Sequence, residues 1–125
     1  MAIDNREVVM FVRDLSRASK GIAREVSQVV KKGAVNIKTE ARARISSQLR
    51  GNGHAKRYAS HIGFDMEGDY TAVIGPSREG QGELGVVLEY GTPYSSAHPH
   101  LNPALDSEIP RFTKALGDVV GTLNH

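Results

Sequence analysis

Between Leu15 and Leu49 apolar or small residues recur every three or four positions, at Ile22, Val26, Val29/Val30, Gly33/Ala34, Ile37, Ala41, Ile45 and Leu49. This spacing predicts one long α-helix with a single apolar face. Ser16 or Ser19 suits its N-cap, and Gly51-Asn52-Gly53 suits its end. Such a rod is roughly 50 Å long. A domain of this size measures roughly 35–40 Å across. The rod therefore either kinks, with Gly21 and Gly33 as candidate points, or packs its overhang on another molecule.

The residues before it fit two patterns. Val8, Phe11, Val12 and Leu15 have helical spacing, whereas Val8, Met10 and Val12 alternate as a strand would. Asp4 and Glu7 resemble a capping box, which tips the reading to a short helix. Further on, Ile62, Phe64 and Met66 alternate with His61, Gly63 and Asp65, and Tyr70, Ala72 and Ile74 repeat the period. With Glu67-Gly68-Asp69 between them, the two runs predict a β-hairpin that stops at Gly75-Pro76. Residues 84–90 form a third strand or one helical turn. Asn102 as N-cap and Pro103 as first residue open a last helix, with Leu105, Ile109, Phe112, Leu116 and Val119/Val120 as its stripe. Pro110 predicts a kink, or a restart capped by Ser107, before an end near Gly121. The expected fold is α+β in a single domain, residues 1–125: a long α-helix in the N-terminal half packed on a small antiparallel β-sheet, with a kinked C-terminal helix. The Gly-, Pro- and Ser-rich loops 51–57, 76–83 and 92–99 are expected to be contact elements.

Composition narrows the class. The 125 residues are 39% hydrophobic and contain no cysteine. A disulfide scaffold and Cys-based zinc sites are excluded, and a reducing cytoplasm fits. No apolar run approaches the length of a membrane span. Acids stand where a signal peptide has its basic region. The charge total hides an asymmetry, since residues 17–57 hold 11 bases against two acids and the rest of the chain is net acidic. The basic segment faces nucleic acid, faces the acidic part of a neighbouring copy, or is a solvated helix face.

Two motifs invite chemistry and do not sustain it. Gly80, Gly82 and Gly85 spell G-x-G-x-x-G, but a Pro-containing loop precedes them and no long helix is expected to follow. His98-Pro99-His100 places two imidazoles close together without the further ligands that a metal needs. No nucleophile, base and orienting acid stand in a recognisable context. The chain is read as no enzyme, with no cofactor and no metal.

Leu88-Glu89-Tyr90-Gly91-Thr92, followed by Ala97-His98-Pro99-His100-Leu101-Asn102-Pro103-Ala104-Leu105, resembles the tail-completion, or head–tail joining, proteins of long-tailed double-stranded DNA bacteriophages. The order of a long basic helix, Lys38-Thr39-Glu40-Ala41-Arg42, and then a hairpin is also similar. The resemblance covers roughly residues 9–120. The chain differs at Arg50-Gly51-Asn52-Gly53-His54, where the family often has Pro and a Thr-Gly pair, and at His100, where it commonly has an aromatic.

The resemblance implies a structural virion protein of the tail or neck, assembled in the host cytoplasm. It implies a homo-oligomeric ring, a hexamer, acting as tail completion or tail terminator component. Its partners would be the head–tail connector and tail tube proteins, with genomic DNA passing through the lumen and no membrane. Charge then nominates subunit-facing or DNA-facing residues: Lys31, Lys32, Lys38, Arg42 and Arg44 on the helix, and Glu83, Glu89, Asp106 and Glu108 on the acidic body. The alternative is a small nucleic-acid-binding protein using the basic helix 17–57.

Overall fold

A computed structural model describes residues 7–11, 20–49, 53–77 and 82–121. Along these residues the elements are β1 (Val8–Phe11), α1 (Lys20–Gln48), α2 (Gly53–Ser60), β2 (Ile62–Met66), β3 (Thr71–Pro76), α3 (Gly82–Tyr90) and α4 (Leu101–Gly121). The strands make one antiparallel sheet in the order β1-β3-β2. α1 lies across it, and α4 runs back along α1. Three bonds mark that antiparallel course: Gln48 donates to the Pro99 carbonyl, Arg44 to Ser107 Oγ, and Asn36 to the Glu108 carboxylate. The fold is α+β, with the long helix on the sheet and a second helix beside it.

The helical stripe read from the sequence is the centre of the core. Val26, Val30, Ala34, Ile37, Ala41 and Ile45 are all buried. They meet Val8 and Met10 of β1, Ile62 of β2, Ala72 and Ile74 of β3, and Leu101 and Ala104 of α4 in one cluster. Removing a large apolar side chain from water stabilises by about 1.5–3 kcal/mol. Several such residues along α1 therefore outweigh the helix cost of Gly33, about 1 kcal/mol. Gly33 has a packing reason, since a Cβ there would lie 2.5 Å from Met10 Cε. The flexible tip of the Met10 side chain fills the space that the missing Cβ leaves.

α1 is one uninterrupted helix of 29 residues, about 43 Å long. Leu15, Ser16, Ser19, Gly51 and Asn52 lie outside the described residues.

Four expectations need correction. Residues 8–11 form a strand rather than part of a short helix. The alternation wins because pairing with β3 points Val8 and Met10 together into the core. The supposed loop at 51–57 is occupied from Gly53 onward by α2, which is anchored by buried Tyr58 and Ala59. Residues 84–90 belong to a nine-residue helix and not to a strand. α4 starts at Leu101, two residues before the expected first position at Pro103, and otherwise runs as the single helix expected, through Pro110 to Gly121. The hydrogen bond that Pro110 lacks would have gone to the Asp106 carbonyl, and both residues are exposed, so water can take its place.

Candidate functional site

The best-defined polar constellation lies where α2, α3 and α4 meet. α3 ends through Gly91, whose φ of 76° is one that side chains disfavour. The chain turns there and is fastened back, with Gly91 N donating to Val87 O (2.7 Å) and His98 N to Leu88 O (2.6 Å). Thr92 and Ser95 exchange backbone bonds across a tight turn. Pro99 and His100 then lead into α4, whose first internal bond runs from Ala104 N to His100 O.

A helix start leaves four N–H groups without partners. Here Glu89, on α3, satisfies them from outside the helix. Its Oε1 accepts from His100 N (3.1 Å) and Leu101 N (2.9 Å), and its Oε2 from Asn102 N (3.1 Å) and Asn102 Nδ2 (3.0 Å). The fourth position is Pro103, which has no N–H to satisfy. A carboxylate at this end also meets the positive pole of the helix dipole. Glu89 is only 3% exposed, so its charge is held by these donors and not by water.

His100 completes the junction. Its Nδ1 lies 2.9 Å from the His98 carbonyl and 3.1 Å from Glu89 Oε1. Both are acceptors, so Nδ1 carries the proton. Burial pushes the His100 pKa down, against the opposing pull of the His98 carbonyl bond and the Glu89 charge. The ring is neutral, and its contact with Glu89 is a hydrogen bond rather than an ion pair. Nε2 is then an acceptor, and it takes the Tyr58 hydroxyl proton at 2.7 Å. Burial, followed by the Glu89 charge, drives the Tyr58 pKa well above its ordinary value, which keeps that proton in place. Tyr58 and His100 are both fully buried, so the triad fastens three helices together and presents no reactive group to solvent.

The nominated residues fall into three groups. Lys31, Lys32 and Asp106 are exposed on the outer surface. Lys38 is half-buried, with its ammonium 5.7 Å from the centre of the Phe64 ring. The rest that can be placed are engaged within the subunit. Arg42 donates from Nε (2.9 Å) and a terminal nitrogen (2.6 Å) to the Ile62 carbonyl, and at 3.3 Å to Ser60 O. Arg44 binds Glu40 and Ser107. Glu89 caps α4, and Glu108 is buried between Asn36 and Arg111. The side chain of Glu83 lies outside the described residues. Glu89 and Glu108 therefore cannot serve an outer acidic face, because the charge of each is held internally. Sequence reading counted their charge and missed their burial. The signal for Glu89 was its isolation, as the one Asp, Glu, Lys or Arg in the sequence from Leu84 to Pro99.

The other motifs are resolved as well. Gly82 opens α3 and Gly85 packs under it, where a Cβ would stand 2.9 Å from Pro76 Cγ and 3.0 Å from the Tyr58 hydroxyl. Gly80 lies outside the described residues. The strand before this loop belongs to an antiparallel sheet, so no βαβ unit surrounds the glycines. On the outer face of the sheet, the cross-strand pair Gly63 and Gly75 floors a groove of about 390 Å³, with Glu7, His61 and Asp65 along its sides. Among the described residues no three His, Cys, Asp or Glu are grouped to hold a metal ion. No described helix is long and apolar enough to cross a membrane.

Compared with known proteins, the chain matches no family model, no curated sequence and no solved structure.

Proposed function

We propose that this protein is a structural component of a tailed-phage virion that forms a ring, a hexamer, at the neck where the tail tube joins the head. The observation that carries the reading is the Glu89 junction. The block from Leu88 to Leu105 that bears the family resemblance is the end of α3, the pinned turn and the start of α4. Glu89 and Pro103 within that block have one shared physical task, the closure of the α4 N-terminus. A helix of about 43 Å on a domain of this size also supplies a long flank for neighbours. Partners in this reading are further copies of the chain, the connector and the tail tube, with DNA in the lumen.

A free nucleic-acid binder is less well served. Arg42 and Arg44 spend their guanidinium groups on the chain itself, and the exposed described bases of segment 17–57, Arg24, Lys31, Lys32 and Arg57, are divided between α1 and α2. The test is light scattering and electron microscopy of purified protein without DNA, together with mass spectrometry of virions. A ring of defined size that is present in virions is expected. A monomer that binds DNA and is missing from virions would overturn the proposal.

A further inference from the structure

The two sides of the His100 ring respond oppositely to a proton. On one side Nδ1 is already a donor, 3.1 Å from Glu89 Oε1, and it stays one when the ring is charged. That contact then becomes an ion pair inside the α3–α4 cap. On the other side Nε2 accepts the Tyr58 hydroxyl proton at 2.7 Å, and charging the ring puts a hydrogen on that nitrogen. Two donors then face each other. The hydroxyl can turn to accept, but its own proton is left in a fully buried place where His100 is its one described partner. A buried donor without an acceptor bears the whole cost of its desolvation.

α2 is the element least able to absorb that loss. It has eight residues, too few for a helix to persist alone. Its described buried residues are Tyr58 and Ala59, and Tyr58 also stands edge-on to the His100 ring, with centroids 5.3 Å apart. α4 has 21 residues and buries Leu101 and Ala104 in the main core. The titratable groups that face the ring are Tyr58 from α2, Glu89 from α3 and His98 from the turn. Arg44, which α1 turns towards α4, is engaged with Glu40 and Ser107. While the ring is enclosed, burial holds its pKa below the ordinary 6.5. Opening α2 returns the ring to water, so uptake of a proton favours the opened form.

We infer that the junction is an acid-operated latch, in which a proton on His100 Nε2 unfastens α2 from α3 and α4 while Glu89 keeps the start of α4 closed. The latch belongs to the single subunit and stands whatever that subunit assembles into.

Hydrogen exchange read by NMR on the full chain tests it, with the His100 ring titrated in the same samples. Correcting the rates for the pH dependence of an unstructured chain turns them into opening equilibria. Between pH 7.5 and a pH below the ring's midpoint, opening at the Tyr58, Ala59 and Ser60 amides should rise about tenfold or more, and should follow that midpoint. The Leu101 and Asn102 amides, which Glu89 holds, should change several-fold less. His54 and His61 stand at the two ends of α2, so variants separate their protons from that of His100. His100→Gln should abolish the rise, whereas His54→Gln with His61→Gln should leave it in place. An equal rise at Leu101 and Asn102 would show global unfolding in place of a latch. A ring that titrates while α2 keeps its protection would show that the hydroxyl turns without cost. A response that survives in His100→Gln, or disappears in the His54/His61 double variant, would assign the proton to another group. Each of these three results overturns the inference. Should His100→Gln fail to fold, the match between the ring's midpoint and that of α2 in the wild type still decides, and separate midpoints would overturn it.

Discussion

The Glu89 carboxylate closes the start of α4 from another helix, accepting the Leu101 N–H at 2.9 Å. Helix caps are usually local, a Ser, Thr, Asp or Asn at the first position. Here the N-cap residue is His100, whose own ring is turned inward to Tyr58 and Glu89. The cap therefore doubles as a tertiary contact, and the order of α3, the 91–99 turn and α4 stands on one side chain.

Glu89→Ala should cost about 3–5 kcal/mol, because it strips a buried, hydrogen-bonded charge and leaves several N–H groups without an acceptor. Glu89→Gln keeps the shape and one acceptor oxygen, so it should cost less, about 1–3 kcal/mol. Urea denaturation of both variants measures the difference. Equal and small losses would show that water can replace the cap.

The pH dependence follows from His100. Its pKa lies below the ordinary 6.5 because burial disfavours the imidazolium. Below that ordinary value the unfolded chain takes up a proton that the folded chain refuses. Stability should therefore fall as pH drops below about 6.5, and level off once the pH is under the lowered folded value. Protonation would also give Nε2 a hydrogen and leave the buried Tyr58 proton without its acceptor. Urea midpoints between pH 8 and pH 4.5 should show this slope for the wild type and a smaller one for His100→Gln. Parallel slopes would assign the acid sensitivity to other groups.

How much of this was legible follows from what periodicity can carry. The α1 stripe from Val26 to Ile45 was readable because one face of one helix meets one core. The hairpin was readable because Ile62, Phe64 and Met66 alternate over an antiparallel ladder. α2 was not, since Tyr58 and Ala59 are its only described buried residues and polar neighbours mask so short a pattern. β1 was ambiguous because a run of only four residues fits either period, and only the partner strand decides between them. The site was missed because a long-range cap leaves no local signature. Nothing in Asn102-Pro103 says that the acceptor lies thirteen residues back at Glu89.

Two glycines should respond oppositely to alanine. Gly91 has a positive φ, and a Cβ there would stand 2.8 Å from Ala97 N and 2.9 Å from Ser95 O, both backbone atoms that cannot step aside. Gly91→Ala should destabilise by about 1–3 kcal/mol and loosen the turn that carries Tyr94. Gly117 is an exposed position inside α4 with nothing within 4 Å of its Cβ direction. Gly117→Ala should stabilise by about 0.5–1 kcal/mol. Thermal midpoints moving in the same direction would contradict the two backbone assignments.

The basic face of α1 should divide by what each residue touches. Arg42 binds the Ile62 carbonyl through two nitrogens, where β2 begins, so it fixes α1 to the sheet edge. Arg42→Glu should cost stability, about 2–4 kcal/mol, by leaving that carbonyl without its charge-assisted donor and placing a carboxylate against it. Lys31 and Lys32 are exposed, and an exposed pair with a neighbour contributes only about 0–1 kcal/mol. Lys31→Glu with Lys32→Glu should therefore leave the thermal midpoint within about 1 °C while slowing assembly at low salt, since surface charge acts chiefly on the rate of encounter. Beyond about 8 Å such charges are screened at physiological ionic strength, so the difference in rate should shrink as salt is added. Light scattering across a salt series, beside a melting curve for each variant, measures both halves. An assembly rate that is unchanged by the double reversal at low salt would remove Lys31 and Lys32 from the contact. A melting curve for Arg42→Glu that overlays the wild type would show instead that the guanidinium is free to serve a neighbour.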